Sequence, residues 1–426
     1  MSPAKKAKAK KISLLKSIGP GFITGASDDD PSGIATYSQT GAQFGYTQLW
    51  TALFSLPFMI IIQEMCGRIG LVTGMGLAAV IRKHYSKKIL YGAVLLLLLA
   101  NTINIGADLG AMAAAANLVF GVSFVILLLS MTIVTLLLEV YVPYPTYAKF
   151  LKYLTLSLFA YVLTVLVVHV PWKEVAFSTI VPHATLSKDY LMNIVALLGT
   201  TISPYLFFWQ ADEEVEEEIE EGKIRAMGVG IPHVSIGDIK RMRLDTVFGM
   251  TFSNVITFFI IVTAAATLHV HGITDIQTAD EAAKALEPFA GQYATFFFAC
   301  GIIGTGLLAV PVLAGSAAYA VSEVMSWKEG LSLKLKQAHG FYGVITIATL
   351  AGLFINFTGI PAFKVLYYSA VLNGLLAPPL MVLILLIGNN KKIMGKNVNG
   401  NWSNGLGWLI TGVMGVAAVG LVMSFF

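Results

Sequence analysis

Long apolar runs recur through the chain, among them ILYGAVLLLLLANTI, VSFVILLLSMTIVTLLL and LFAYVLTVLVVHV. A helix needs roughly 20 largely apolar residues to cross a bilayer. The fold class is therefore an all-α polytopic membrane protein. Charge content agrees: 12% of the 426 residues are charged, about half of the ~25% usual in soluble domains.

Eleven spans are expected, near 18–41, 46–72, 89–117, 121–140, 151–170, 190–210, 245–268, 292–321, 340–356, 360–387 and 406–425. They make one transmembrane domain over 1–426, with a basic cytoplasmic N-terminus (1–17), a first half (18–170), a second half (190–387) and an additional helix (406–425). With the N-terminus inside, only Lys173, Lys188, Lys284 and Lys364 fall on the external side, and Arg68 lies within a span. Every other Lys and Arg is cytoplasmic, as the positive-inside rule requires. The expectation is a multi-pass protein of the cell membrane with its C-terminus external. Lys5, Lys6, Lys8, Lys10, Lys11 and Lys16 look like the start of a signal peptide. The apolar stretch behind them is cut by Asp28, Asp29 and Asp30, so no cleavable signal is expected. The formal charge of +4 reflects this asymmetry and gives no reason to expect a nucleic-acid partner. Cys66 and Cys300 sit in apolar stretches and read as small core residues, not a disulfide or thiolate metal site.

Two spans carry breaks. The first reads GASDDDPSG over 25–33, and the sixth reads NIVALLGTTISPYLFFWQ over 193–210. Proline removes a helical hydrogen bond and clashes with the preceding turn, so Pro31 and Pro204 each interrupt a span. Membrane helices tolerate simple proline kinks. Here the first break also holds carboxylates, which are expensive in hydrocarbon, and the two breaks occupy the same place in two successive sets of five spans. Interrupted segments at matching places in two halves point to a transporter's substrate site.

GPGFITGASDDDPSG followed by GAQFGYTQLW, then QEMCGRIGLVTGMGL, ADLGAM and LAGSAAYAVSEVM, resembles the Nramp divalent-metal transporters over most of the chain. The resemblance implies eleven helices in a five-plus-five inverted repeat, the architecture shared with sodium–amino-acid symporters, with broken helices 1 and 6. That family carries Asp-Pro-Gly-Asn in its first broken helix and Met-Pro-His in its sixth. Asp30 and Pro31 match it, while Gly33 stands at the metal-binding Asn. Ser203 stands at the metal-binding Met and Tyr205 at the following His. The third span keeps Asp108 but has Ala111 where the family has a proton-handling Glu. This pattern, and WQADEEVEEE after the sixth span, resembles the Nramp-related magnesium transporter branch.

The substitutions have a chemical sense. A thioether favours softer metals, and Ser203 withdraws it. Gly33 removes a side-chain oxygen and would widen the site. Magnesium takes octahedral oxygen ligands and keeps several waters, which suits one strong anion, Asp30, in a roomy all-oxygen site. The resemblance places the metal at Asp30, Gly33 and Ser203, with carbonyls of Ser27 and Thr200. Asp28 and Asp29 point about 200° and 100° away from Asp30 on a helix, so at most one shares its ion directly. They are expected beside the site or in a vestibule, with Tyr205 and Asp108 in the same role. Asp108 also has a plain structural reading, as a hydrogen-bonding partner for helix ends.

The function expected is a secondary transporter importing magnesium, and also manganese, down its electrochemical gradient without proton coupling and without a cofactor. Its partners are the divalent ion and the bilayer, and a monomer is expected. One alternative is a proton-coupled transporter of manganese or iron; Ser203, Tyr205 and Ala111 argue against it. Another is a sodium-coupled amino-acid symporter of the same fold, against which three carboxylates would repel a substrate carboxylate. A sensor without transport would need no paired breaks. No phosphate-binding loop, catalytic triad spacing or zinc-ligand cluster occurs, so no enzyme is expected. Glu64 and Arg68, one turn apart, read as an internal ion pair. His169, His269 and His271 read as interfacial, and DEEVEEEIEE over 212–221 as a solvated cytoplasmic helix extension, with a cytoplasmic ion-collecting or sensing role as the alternative.

Overall fold

The computed structural model describes residues 19–142, 155–185, 187–230 and 232–425. The basic N-terminus and the starts of the first and fifth expected spans lie outside these residues. Fifteen helices organise the rest: α1 (Pro20–Asp28), α2 (Pro31–Phe44), α3 (Trp50–Thr73), α4 (Leu77–His84), α5 (Lys87–Phe120), α6 (Phe124–Tyr141), α7 (Phe159–Val167), α8 (Trp172–Ile180), α9 (Lys188–Thr201), α10 (Pro204–Glu220), α11 (Ile236–Thr267), α12 (Ala294–Met325), α13 (His339–Ile355), α14 (Ala362–Gly388) and α15 (Asn401–Met423), with short helical turns between some of them. Among the described residues there is no strand, only an isolated bridge from Ala226 to Val229.

Eight helical stretches among the described residues are long and apolar enough to cross a membrane, and Leu156–Val167 and His339–Ile355 are shorter apolar ones. The broken pair α1 and α2 comes in addition. Large apolar side chains such as Leu95, Ile126, Leu166 and Val416 are exposed, as a lipid-facing belt would be. Helix ends follow their sequence signals. Ser86 and Ser187 accept amides at the starts of α5 and α9, and Ser235 with Asp238 forms a reciprocal capping box on α11. Gly74 and Gly121 end α3 and α5 in the left-handed conformation that glycine adopts without strain.

Without a hydrophobic drive between helices in lipid, close backbone packing through small residues holds a bundle together. Gly21 and Gly25 of α1 face Gly249 of α11 so tightly that a Cβ at any of the three would collide with backbone. Gly199 of α9 meets Gly374 of α14 in the same way. Gly70 of α3 lies on the Ala211 backbone of α10, and Gly41 of α2 on the Ile261 carbonyl of α11. These contacts seat both broken helices against long, continuous neighbours.

Candidate metal site at the two helix breaks

Each break spans two residues, and the sequence explains why. Pro31 and Pro204 take the first position of α2 and α10, where a missing N–H costs nothing. The residue before a proline is pushed out of the helical region, and Asp30 (φ −68°, ψ 170°) and Ser203 (φ −82°, ψ 132°) are extended. One residue earlier, Asp29 and Ile202 end α1 and α9. Two helix C-termini, with their partial negative charge and orphan carbonyls, therefore end beside two helix N-termini inside the bundle.

Asp30 caps α2. Its Oδ1 accepts the Gly33 amide (2.7 Å) and the Ser32 hydroxyl (2.6 Å), leaving Oδ2 turned toward Tyr205, whose hydroxyl is 3.4 Å away. The same hydroxyl is closer to the Ser27 carbonyl, at 3.0 Å. Tyr205 thus ties the first break to the second. The Ser203 hydroxyl folds back onto the carbonyls of Gly199 and Thr200, both at 2.9 Å. The two carbonyls expected as ligands, those of Ser27 and Thr200, already accept hydroxyls in this arrangement, and each keeps a second lone pair. Beside Gly33 the space is not open: a Cβ there would lie 3.2 Å from both Thr200 Oγ1 and the Tyr37 ring. The absent side chain is replaced by Thr200 and Tyr37, so the widening expected from Gly33 is not seen.

Asp28 and Asp29 face no vestibule. Both are buried, at 0% and 1% exposure, and both turn to Ser253 of α11, whose hydroxyl is 2.8 Å from Asp28 Oδ2 and 3.1 Å from Asp29 Oδ1. One hydroxyl proton can serve only one of them. Asp108 on α5 is fully buried, and neither of its oxygens has a partner among the described residues; the plain reading, in which it bonds a helix end, gains no support. None of these four carboxyls forms an ion pair among the described residues, whereas Glu64 pairs with Arg68 (3.0 Å) and Arg243 (2.7 Å) as expected of a structural pair. Buried carboxylates without a counter-charge are costly and must be met by a proton or a cation. Among the described residues, no three His, Cys, Asp or Glu side chains gather around a point where an ion could sit. The arrangement offers one strong anion with dipoles around it.

A cavity of about 140 Å³ lies on the other side of α2, lined by Ala35, Gln39, Asp189, Asp275, Lys364 and Tyr367 among others. Ala35 is five residues from Asp30, about 7.5 Å along a helix. Lys364 reaches Asp275 across its mouth at 3.8 Å. His169 is exposed, and His269 and His271 bond the carbonyls of Ala42 and Thr267 at a helical turn. Cys66 is buried and Cys300 half-buried, both free thiols.

Three residues of this region escaped the sequence reading. Ser253 and Tyr37 carry no motif. Asp245 sits at the start of an expected span and caps α1: its carboxylate accepts the amides of Gly19 (3.1 Å), Gly21 (2.7 Å) and Phe22 (3.3 Å). An acid just inside an apolar segment is a functional suspect by default, and that signal was available.

Residues 21–424 match the family model described as natural resistance-associated macrophage protein-like, Nramp. The divalent metal cation transporter MntH of Klebsiella pneumoniae subsp. pneumoniae is 26% identical over 420 residues, covering 97% of this chain and 94% of its own. MntH of Clostridium acetobutylicum is 25% identical over 425 residues, covering 93% and 88%. Among solved structures, the manganese transporter of Eremococcus coleocola superposes with a TM-score of 0.75 at 16% identity, over 97% of this chain and 88% of that one. A nucleobase-cation-symport-1 family transporter, closed around bromovinylhydantoin, gives a TM-score of 0.61 at 13% identity over 95% and 89%. At such identities the structural likeness concerns the fold.

Proposed function

The chain belongs to the Nramp family, whose members are transporters and not enzymes, and from that premise we propose that it imports divalent metal, magnesium first and manganese also, down the electrochemical gradient without proton coupling. The observation that carries this reading is Asp30: a buried carboxylate at the meeting of two broken helices, with one oxygen engaged in capping and the other facing a tyrosine where the family has a histidine. Asp30 is the anionic ligand. Carbonyls of Ser27 and Thr200 add dipoles, Gly33 and Ser203 bound the site without a soft ligand, and retained waters complete the octahedron that magnesium prefers. Asp28, Asp29, Tyr205 and Asp108 set the field around it.

The chain is read as one transmembrane domain of eleven spans, in two inverted halves (18–170 and 190–387) with an additional helix (406–425). Two glycine contacts support the repeat: Gly70 of α3 on α10, and Gly41 of α2 on α11. In both, the second span of one half packs on the first span of the other. The basic loops set the N-terminus in the cytoplasm and the C-terminus outside the cell membrane, so the cavity behind Ala35 is the external entrance. No resident cofactor is required, and the chain works as a monomer.

A second reading, proton-coupled transport of manganese or iron, draws support from the metal named for the Eremococcus transporter and from unpartnered Asp108. Isothermal titration tests the first: magnesium and manganese should bind wild type, Asp30→Ala should bind one ion fewer of each, and amino acids should give no heat. Magnesium failing to bind while manganese binds would favour the second.

A further inference from the structure

The acidic run after the second break is not the solvated extension that its composition suggests. Asp212, Glu214, Glu216 and Glu218 are all buried. Glu214 takes the Gln210 amide at 2.9 Å. Glu216 is fully provided for by the Tyr319 hydroxyl (2.8 Å), the Leu331 amide (3.0 Å) and the Ser332 hydroxyl (3.0 Å). Among the described residues Glu218 has a hydrogen-bond partner on neither oxygen, so donors at this end of α10 reach Glu214 and Glu216 only.

Asp212, one turn earlier, finds none. It is 0% exposed, and neither oxygen has a hydrogen-bond partner. Its Oδ1 and Glu323 Oε1 from α12 converge on Gly76, in the turn between α3 and α4, where a Cβ would collide with both. Glu323 is 2% exposed; its other oxygen accepts the Ala79 amide (3.0 Å), but Oε1 has no partner. Glu329, in the loop after α12, adds another unpartnered oxygen. Its burial and the neighbouring Glu323 push the Glu329 carboxyl up to about 9. The nearby base, Arg82, donates to the Ser326 hydroxyl, and among the described residues it forms no ion pair with these acids. Two buried acids meet over a bare Cα, Asp212 with no donor to either oxygen and neither acid in an ion pair among the described residues, and their field favours a cation.

We propose that Asp212 and Glu323 form a second divalent-cation site, separate from Asp30 and open to the cytoplasm through the loop that carries Glu329. Two carboxylates with retained waters are a normal magnesium site, so no cage of three side chains is needed. The site joins α10, α12 and the α3–α4 turn, and α10 begins at the second break. An ion there fixes the inner half of the broken helix against α12. Cytosolic product ion thereby holds the inner side shut and slows further import. This role rests on the transport reading and its orientation; the existence of the site does not.

The test uses the full-length protein in nanodiscs, with manganese as probe by electron paramagnetic resonance and magnesium as competitor. Asp30→Ala should retain one bound manganese that magnesium displaces. Adding Asp212→Asn and Glu323→Gln, which preserve shape and remove charge, should weaken that remaining site at least tenfold. The same pair in a wild-type background should keep magnesium influx and lose inhibition by ion on the cytoplasmic side. If Asp30→Ala binds no manganese where wild type binds one, the second site does not exist; that count does not depend on the other variants folding. If the triple variant binds as Asp30→Ala does, the site lies elsewhere and the assignment fails. The transport reading fails separately, if Asp30→Ala imports magnesium like wild type.

Discussion

Asp30 has to serve structure and cargo at once, and the two demands separate by substitution. Asparagine caps a helix as well as aspartate does, so Asp30→Asn should keep the Gly33 contact and the fold while losing the charge. Magnesium and manganese uptake should then fall to background in Asp30→Asn as in Asp30→Ala, with unchanged elution from size exclusion; uptake near wild type in either would remove Asp30 from the site. Ser203 gives a finer test, because its hydroxyl is spent on Gly199 and Thr200 carbonyls. Ser203→Ala should cost about 1 kcal/mol of stability for the lost bond and leave magnesium influx within a few-fold of wild type. Ser203→Met should tighten cadmium and manganese binding and weaken magnesium transport, read as a reversed order of the metals in flux assays. At this scale the sequence was informative where a proline stood beside an acid or a hydroxyl. It was silent on Ser253 and Tyr37, whose meaning comes from packing against residues more than two hundred positions away or on the next turn of α2.

Among the elements, the N-terminal amides of α1 are gathered by one side chain of α11. The Asp245 carboxylate gathers three amides at the α1 N-terminus, and charged hydrogen bonds contribute about 1.5–3 kcal/mol each. Asp245→Ala should loosen α1 from α11 without unfolding the bundle. Hydrogen–deuterium exchange over residues 19–28 should quicken at least tenfold in that variant, while α14 stays unchanged; equal protection in both proteins would show that the Gly25–Gly249 packing alone anchors α1. The breaks themselves were legible because Pro31 and Pro204 act locally. The burial of α10 was not, since eight acids within ten residues read as solvated unless Tyr319, Leu331, Ser332 and Gly76 are known to surround them. Composition describes a helix's own residues and says nothing of which neighbours bring donors.

For the whole molecule, unpaired buried acids make stability depend on pH. The Glu329 carboxyl is raised from its ordinary value of 4.5 to about 9 by burial first and Glu323 second. Between those values the folded protein holds a proton that the unfolded chain releases, so stability falls as pH rises through that window. In chelator-treated detergent solution, Tm should decline from about pH 5 to about pH 9, and Glu329→Gln should flatten the decline. A wild-type Tm that rose over this range, or a variant with the same slope, would contradict it. The class of the molecule, its long apolar helices and its breaks were all visible in hydropathy and proline placement. The number of spans was less so, because a broken pair such as α1 and α2 is too short in each half to count by length.

The central claim is that Asp30 at the crossed breaks passes divalent metal without protons. Proteoliposomes carrying a lumenal magnesium dye and a lumenal pH dye, compared between wild type and Asp30→Ala under an inside-negative potential, test it most directly. Magnesium should enter with wild type while lumenal pH stays constant, and neither signal should change with Asp30→Ala. Acidification in step with metal entry would contradict uncoupled transport, and entry through Asp30→Ala would contradict the site.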